Sequence, residues 1–251
     1  MSGHSKWHTI KHKKGAADAK RGKLFTKLIK ELQVAARMGG GDLSANPRLR
    51  KAVSDAKGSQ MPNDTIKRAI MRGTGELEGT NYDEVLYEGT GPGGTLFMVA
   101  GMTDNRNRTV AELRKVYEKH QGNLGGGGTA GWAFDRKGII TVPTEAADED
   151  QLMEVTMDAG AEDFAREGDS WQLLCDVADI DGVVTALEGA EIKVESSGPG
   201  YIPKNKKPLT GKDAERALNL FEALDDHDDS QNVYADFDIS DEELGRILSE
   251  D

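Results

Sequence analysis

An amphipathic helical repeat begins at Arg21, after about 20 polar and basic residues whose only larger apolar side chains are Trp7 and Ile10. Apolar residues then recur at spacings of three and four, which places them on one face of a helix. That face consists of Leu24, Phe25, Leu28, Ile29, Leu32, Ala35 and Ala36. The opposite face carries Lys20, Lys23, Lys27, Lys30 and Arg37. The pattern predicts a single helix that ends at the glycine run 39–41.

Two shorter helices are predicted after that glycine run. Asn46 is a suitable N-cap, and the proline that follows it is favoured at a first helical position. This helix would end at Gly58, and the next would run from about residue 62 to Gly73. Their buried stripes would be Leu49, Ala52, Val53, Ala56, Ile66, Ala69 and Ile70. Three short helices with short links are expected to form a small bundle with basic outer faces.

After a glycine-containing linker, the pattern alternates between short strands and helices. Residues 137–205 show the order β-α-β-β-α-β, which is that of a ferredoxin-like unit, with its last strand expected at 191–195. Residues 82–136 and 206–240 supply four more strands, one of them at 131–135, and two helices, which predicts a second α+β unit interrupted by the first. The expected fold class is α+β multidomain. A flexible basic tail (1–20) and a three-helix domain (21–76) precede two ferredoxin-like α+β domains, one inserted in the other.

Charge is distributed unevenly along this chain. Residues 1–72 hold 17 Lys and Arg against 5 Asp and Glu, a local net charge of +12, although the whole chain carries −12. The remaining residues therefore hold 15 basic and 39 acidic groups, a net charge of −24. A dense positive field attracts polyanions and binds phosphate by releasing counterions. The split favours a basic nucleic-acid-binding part on an acidic body, with a solvated basic tail as the alternative.

Composition excludes several classes of protein. A single cysteine, Cys175, rules out an intramolecular disulfide and a cysteine-rich zinc site, and it fits a reducing cytoplasm. The first residues contain no apolar segment of the kind found in signal peptides. No run of about 18 apolar residues occurs, so no membrane partner is expected. We therefore expect a cytoplasmic protein with no cofactor.

Several motifs resemble the YebC family. They include Gly-His-Ser-Lys-Trp at 3–7, Met-Pro-Asn-Asp-Thr-Ile at 61–66, Thr-Asp-Asn-Arg-Asn-Arg-Thr at 103–109 and Asp-Asp-Ser-Gln at 228–231. Similar matches occur at 21–31, 46–50, 88–94 and 158–163, so the resemblance covers essentially the whole chain. It implies a helical N-terminal domain and two α+β domains, one inserted in the other. One departure is Thr90, which stands where the family resemblance implies an aromatic residue.

The resemblance also implies a function in gene expression. Most bacterial members are labelled probable transcriptional regulators, and the family includes the mitochondrial translational activator of cytochrome c oxidase. It therefore implies a DNA-binding transcriptional regulator, and the alternative is a ribosome-associated factor that contacts ribosomal or transfer RNA. The acidic body would be repelled by bare duplex DNA, which favours a partner that mixes RNA with basic protein. An enzyme is the outside alternative, because no arrangement of catalytic residues stands out.

The candidate nucleic-acid contacts are basic residues and one aromatic residue. Trp7 among lysines combines a stacking platform with phosphate neutralisers. Arg106 and Arg108 stand at the start of a predicted helix, with Asp104 or Asn107 as its cap, and helix N-termini bind anions. Each of these sets could equally be solvated surface. The full set is Lys6, Trp7, Lys11, Lys13, Lys14, Lys20, Arg21, Lys23, Lys27, Lys30, Arg48, Arg50, Lys51, Lys67, Arg68, Arg106 and Arg108.

Four other features are better explained without a ligand. His4, His8 and His12 would share a helix face, but flanking lysines repel metal cations. The glycine runs 89–94 and 125–128 lack a P-loop or dinucleotide pattern, so tight hairpin turns are favoured over nucleotide binding. The acidic run 225–229 lacks the spacing of an EF-hand and is interpreted as a solvated helix end or an acidic docking patch. Cys175 is expected to pack in the core. No metal and no catalytic residues are predicted.

Overall fold

The computed structural model describes residues 17–249, and the side chains of residues 21–247. In chain order the elements are α1 (Ala17–Gly39), α2 (Pro47–Gly58), α3 (Asn63–Thr74), β1 (Asp83–Gly91), β2 (Thr95–Thr103), α4 (Arg106–Lys119), β3 (Asn123–Leu124), β4 (Phe134–Pro143), α5 (Glu149–Thr156), β5 (Ala161–Glu167), β6 (Ser170–Cys175), α6 (Ile180–Gly189), β7 (Ser196–Pro203), β8 (Lys207–Pro208), α7 (Gly211–Asp225), β9 (Ser230–Ala235), β10 (Phe237–Asp238) and α8 (Asp241–Ser249). The α+β class and the three N-terminal helices are confirmed.

The apolar face of α1 packs against α2 and α3. Their shared core is Leu32, Ala35, Ala36, Leu49, Ala52, Val53, Ala56, Met61, Ile66 and Ala69. Asn46 caps α2 as predicted, because its side-chain oxygen accepts from the Leu49 N–H at 3.0 Å. Gly73 lies against the backbone of Gln33, where a Cβ would overlap the carbonyl oxygen. The glycine therefore sets how closely α3 approaches α1.

The first sheet has the strand order β3-β1-β2-β9. β1 and β2 form an antiparallel hairpin from Gly91 opposite Thr95, and the turn between them is a short 3₁₀ segment. Gly93 and Gly94 take left-handed φ values of 67° and 71° there, which confirms the predicted turn. The second glycine run is not a hairpin turn, because the chain leaves β3 and next enters β4 of the other sheet.

The second sheet has the order β5-β6-β4-β7, with every neighbouring pair antiparallel. Together with α5 and α6 this is the ferredoxin-like arrangement predicted for residues 137–205. Two strand positions were wrong. In the segment 131–135, residues 131–133 form a 3₁₀ turn and the last two residues begin β4, so the segment is not a strand of the first sheet. The last strand lies at Ser196–Pro203 instead of 191–195, because its pairing with β4 begins only at Ser196.

The described residues divide into two compact units. The first unit comprises residues 17–127 and 212–233, and it holds the three N-terminal helices, β1–β3, α4 and most of α7. The second unit comprises residues 128–211 and 234–249, with the ferredoxin-like sheet, the parallel pair β8 and β10, and α8. The division into a tail and three domains stays a prediction. No helix in the described part of the chain is long and apolar enough to cross a membrane.

Candidate nucleic-acid interface

The lysine row of α1 contacts the protein, and its innermost member is buried. Lys30 is only 5% exposed, and its Nζ donates to the Asp229 carboxylate at 2.7 Å. The same ammonium donates to the carbonyl oxygens of Asp228 at 2.8 Å and Met102 at 3.1 Å. All three N–H groups of Lys30 are thus used within the first unit. The prediction that Lys30 is a solvent-facing phosphate contact was therefore wrong.

Asp229 is the centre of a buried network. Its second carboxylate oxygen accepts from Arg108 Nη2 at 2.9 Å and from the Thr109 hydroxyl at 2.7 Å. Burial alone would raise the pKa of Asp229, but hydrogen bonds from Lys30, Arg108 and Thr109 outweigh it and hold that pKa well below its ordinary value. Asp229 is therefore ionised at neutral pH and binds α1 to the start of α4.

The position of Asp229 depends on a glycine. The backbone carbonyl of Asp229 accepts a hydrogen bond from the N–H of Met102, a residue of β2, at 2.8 Å. A Cβ at Gly101 would overlap that carbonyl oxygen, so only glycine allows the two backbones to approach this closely. The close approach brings the loop before β9 within reach of Lys30.

Lys23 and Lys27 bind the same acidic run. Lys27 Nζ lies 3.1 Å from a carboxylate oxygen and 3.1 Å from the carbonyl oxygen of Asp225. Lys23 Nζ donates to the Asp226 carbonyl at 3.1 Å, and its side chain is about half exposed. The acidic run is therefore more than a solvated helix end or an external docking patch, because it binds the lysines of α1 within the same unit.

Arg106 and Arg108 are also engaged by carboxylates. The cap of α4 is Asn105, whose side chain accepts from the Arg108 N–H at 3.1 Å, instead of the predicted Asp104 or Asn107. Arg108 lies 2.8 Å from Asp104 and 2.9 Å from Asp229, and the hydrogen bond to Asp229 raises the pKa of its guanidinium. Arg106 forms an exposed pair with Asp83 at 3.2 Å. Phosphate contact by these two arginines stays a prediction.

On α2, most predicted contacts have partners within the protein. Arg48 binds Glu31 at 2.6 Å and Glu84 at 2.8 Å, and hydrogen bonding to Glu31 raises its pKa. Lys51 pairs with Asp55 at 2.7 Å, one turn along the same helix. Arg50 is exposed, and its Nη1 donates to the Leu43 carbonyl at 2.7 Å, which leaves its charge without a carboxylate.

A smaller set of cations is exposed, and their side chains have neither a carboxylate partner nor a hydrogen bond anywhere in residues 17–249. On α2 and α3 this open cation set consists of Lys57, Lys67, Arg68 and Arg72. Two of these were among the predicted site residues. Three further cations are exposed on α4 and were not predicted as site residues: Arg114, Lys115 and Lys119. The spacing of Lys115 and Lys119, one helical turn apart, was the available signal.

The remaining predicted contacts lie at the N-terminal edge. Arg21 is exposed, and its guanidinium carbon lies 5.4 Å from the centre of the Phe25 ring. The side chain of Lys20 lies outside the described residues. So do Lys6, Trp7, Lys11, Lys13 and Lys14, together with His4, His8 and His12.

One group of side chains has the composition of a metal site. Glu112, His227 and Asp229 bring ligand atoms within 4.8 Å of one another. Asp229 already accepts from Lys30 and Arg108, so a metal cation there would lie among two positive charges. The His227 ring is also occupied, since its Nδ1 accepts from the Asp229 N–H and its Nε2 lies 3.2 Å from Glu112. The group fits a hydrogen-bond network and not a metal centre.

Comparison with known proteins agrees with this architecture. The chain matches the model of the TACO1/YebC N-terminal domain over residues 5–76 and that of the TACO1/YebC second and third domain over residues 82–237. A crystal structure of a conserved hypothetical protein from Aquifex aeolicus superposes with a TM-score of 0.86 at 42% identity. The superposition covers 92% of this chain and 96% of that one.

Curated relatives are similar over almost their full length. A probable transcriptional regulatory protein of Desulforapulum autotrophicum is 56% identical over 242 residues, which cover 96% of this chain and 98% of the relative. One from Citrifermentans bemidjiense is 53% identical over 248 residues, 99% of this chain and 100% of the relative. The resemblance noted in the sequence is thereby confirmed, and the chain belongs to the TACO1/YebC family of regulators.

Proposed function

We propose that this protein is a non-catalytic regulator of gene expression that binds nucleic acid through the open cation set on α2 and α3. The observation that carries the proposal is the contrast between two groups of cations in the first unit. Lys23, Lys27 and Lys30 are neutralised by the chain itself, whereas the four open cations face solvent without a carboxylate among the described residues. Phosphates of a nucleic acid would supply the missing negative charge.

The chemistry of such a surface is phosphate neutralisation and not base reading. Each phosphate contact releases counterions, so affinity falls steeply as salt rises. Lysine and arginine contacts to phosphate position a protein on nucleic acid without specifying sequence. The basic tail, with Trp7 and its neighbouring lysines, is proposed to add a second group of contacts. Little intrinsic sequence preference is expected.

The names of the relatives, probable transcriptional regulatory proteins, favour a transcriptional regulator. We propose DNA as the target of such a regulator and the cytoplasm as its location. A second candidate, a ribosome-associated translation factor, is favoured by the net charge of −24 beyond residue 72. That charge opposes approach to a long bare duplex, whereas a ribosome presents RNA together with basic protein. Both candidates place the open cation set against phosphate, and they differ in the target.

The test is a variant in which uncharged glutamine replaces each of the four open cations, together with a matched control. We expect the fourfold change Lys57→Gln, Lys67→Gln, Arg68→Gln and Arg72→Gln to weaken binding to both duplex DNA and single-stranded RNA. The slope of log K against log salt should fall by about 0.9 per lost duplex contact and about 0.7 per lost single-strand contact. The control removes four exposed cations elsewhere, by Arg166→Gln, Lys193→Gln, Lys212→Gln and Arg216→Gln. Equal losses in both variants would indicate a net-charge effect and refute the proposed surface.

The target is decided by a separate measurement. Wild type and the fourfold variant are sedimented with ribosomes and titrated against duplex DNA at the same salt concentration. Loss of cosedimentation in the variant, with weak duplex binding throughout, would assign the ribosome. Duplex binding that survives near-physiological salt in wild type would assign DNA.

A further inference from the structure

An exposed tryptophan stands at one end of the second unit. Trp132 lies in the 3₁₀ turn that leads into β4, and 68% of its surface is exposed. No other large apolar side chain among the described residues exposes a greater fraction. An indole left in water at this level costs free energy that burial would recover. A binding role would explain why the chain keeps it there.

The indole is held in place by its own turn. Its Nε1–H donates to the Thr129 carbonyl at 3.1 Å, and the Trp132 carbonyl accepts from Lys204 Nζ at 3.0 Å. The ring's only hydrogen-bond donor is therefore used, and what it offers a ligand is an apolar π face. A ligand can bind it by stacking but not through a hydrogen bond to the ring, which suits recognition of any base.

Two cations lie close to the backbone of this turn. Lys204 follows β7, and besides Trp132 it contacts Asp135 at 3.5 Å, which leaves one ammonium N–H for a further acceptor. Arg136 is exposed on β4 and has no carboxylate partner within the described range. It lies three residues from Ala133, whose carbonyl accepts from the Lys204 N–H, or roughly 10 Å along the strand. Anion-binding groups thus lie close to the turn that carries the indole.

The charge of this end contrasts with the rest of the unit. Residues 128–137 and 201–211 together carry five basic side chains and one acidic side chain. Besides Lys204, two of the five are paired with acids of the same unit, Lys137 with Glu162 and Lys206 with Glu167. Residues 138–200, between them, carry two basic and sixteen acidic side chains. Residues 234–249 add five acidic side chains and one basic side chain to the unit, and β10 places Asp238 opposite Pro208. A polyanion approaching the second unit is therefore repelled by most of its surface and repelled least near the turn that bears Trp132.

We propose that Trp132 is a stacking platform for a base of single-stranded nucleic acid, with Lys204 and Arg136 contacting the adjacent phosphates. An aromatic face beside cations is the arrangement by which proteins bind unpaired bases. This site is additional to the open cation set, and it rests on the proposed function only in sharing the class of partner. It contacts unpaired bases and backbone phosphate and does not read sequence.

The test separates bases from phosphates. Full-length wild type, Trp132→Ala and Trp132→Phe are titrated with oligo(dT) of 12 nucleotides and with a 12-unit abasic backbone of the same charge. Trp132→Ala should bind oligo(dT) about 5- to 150-fold more weakly, the range expected for one lost stack, and bind the abasic backbone as wild type does. Trp132→Phe should retain most of the affinity. Lys204→Gln should weaken binding to both probes, because both present the same phosphates.

Met157→Ala is the matched control, because Met157 is 60% exposed in the same unit and lies on no basic end. It should leave both affinities unchanged. If Trp132→Ala binds oligo(dT) as wild type does, or loses equal factors on both probes, base stacking at this residue is wrong. A loss caused by misfolding would lower the melting temperature of Trp132→Ala and weaken both probes alike, which also counts against stacking.

A fluorescence measurement keeps this inference distinct from the proposed function. In a Trp7→Phe, Trp171→Phe chain, Trp132 is the only tryptophan, and stacking of oligo(dT) should quench its emission. Binding without quenching would overturn the stacking site alone. If the variant that lacks the four open cations of α2 and α3 shows unchanged quenching and unchanged affinity, the open cation set alone would be overturned. Absence of both binding and quenching would overturn both.

Discussion

The buried pair of Lys30 and Asp229 should be one of the most costly polar interactions to break in the first unit. Lys30→Met keeps the length and the apolar stem of the side chain but removes its ammonium. Asp229 then keeps Arg108 and Thr109, while two backbone carbonyls lose their donor. Removing one partner of a buried pair costs about 3–5 kcal/mol, and the contacts that survive place this change near the lower limit.

Such a loss is large enough to measure by thermal unfolding. For a protein of 251 residues, a loss of about 3 kcal/mol corresponds to a decrease of roughly 6–12 °C in the melting temperature. Lys23→Met is the matched control, since it removes a half-exposed ion pair from the same helix row and should cost less than about 1 kcal/mol.

A double-mutant cycle identifies the source of the effect. Because Lys30 and Asp229 touch, the combined Lys30→Met, Asp229→Asn change should cost clearly less than the two single changes together. The reasoning would be refuted if Lys30→Met melted within about 2 °C of wild type. Strict additivity would refute it as well, since each residue would then be stabilising the fold independently.

Three further predictions follow from buried groups. The pKa of Asp229 is lower in the folded protein, so its contribution to stability is complete above its ordinary pKa near 3.8 and is lost as pH falls below that value. The difference in urea midpoint between wild type and Asp229→Asn should therefore disappear in acid, and a difference that stays constant with pH would contradict this. Gly101→Ala should destabilise by about 1–3 kcal/mol because its Cβ meets the Asp229 carbonyl, whereas Gly189→Ala, in open space on α6, should not, as chemical denaturation will show. Burial raises the pKa of Cys175 to about 11, so only on the order of a thousandth of the thiol is ionised at pH 8; a disulfide reagent should react rapidly only after unfolding, and immediate labelling of native protein would contradict this burial.

The helices and the ferredoxin-like unit could be predicted because their signals are local. The cap at Asn46 and the 3.6-residue repeats of α1 to α3 act within a few residues of the chain. The strand β7 was misplaced for the opposite reason. Its sequence Ser-Ser-Gly-Pro-Gly-Tyr-Ile-Pro resembles a loop, and it becomes a strand only through pairing with β4. The short strand β3 and the helix α8 were missed altogether.

The candidate site was harder to predict because charge pairing is not local. A row of lysines opposite an apolar stripe predicts a solvent-facing surface, and for Lys27 and Lys30 of α1 that inference was wrong. The acids that bind Lys27 and Lys30 lie about 200 residues further along the chain, beyond the reach of any periodicity. The pairing of Arg48 with Glu84 could not be predicted from the sequence either, since Glu84 lies beyond the linker. The open cation set emerges only after those pairs have been assigned.

The pairing of α1 with the acidic run also has a consequence for the protein during its synthesis. The lysines of α1 leave the ribosome about 200 residues before their partners, a delay of roughly 10–40 s at ordinary elongation rates of 5–20 residues per second. Throughout that interval the nascent chain carries three cations whose charges the finished protein pairs with its own acids. The newly made helices should adhere to RNA more strongly than the completed chain does, and synthesis of the loop before β9 is the event that releases them.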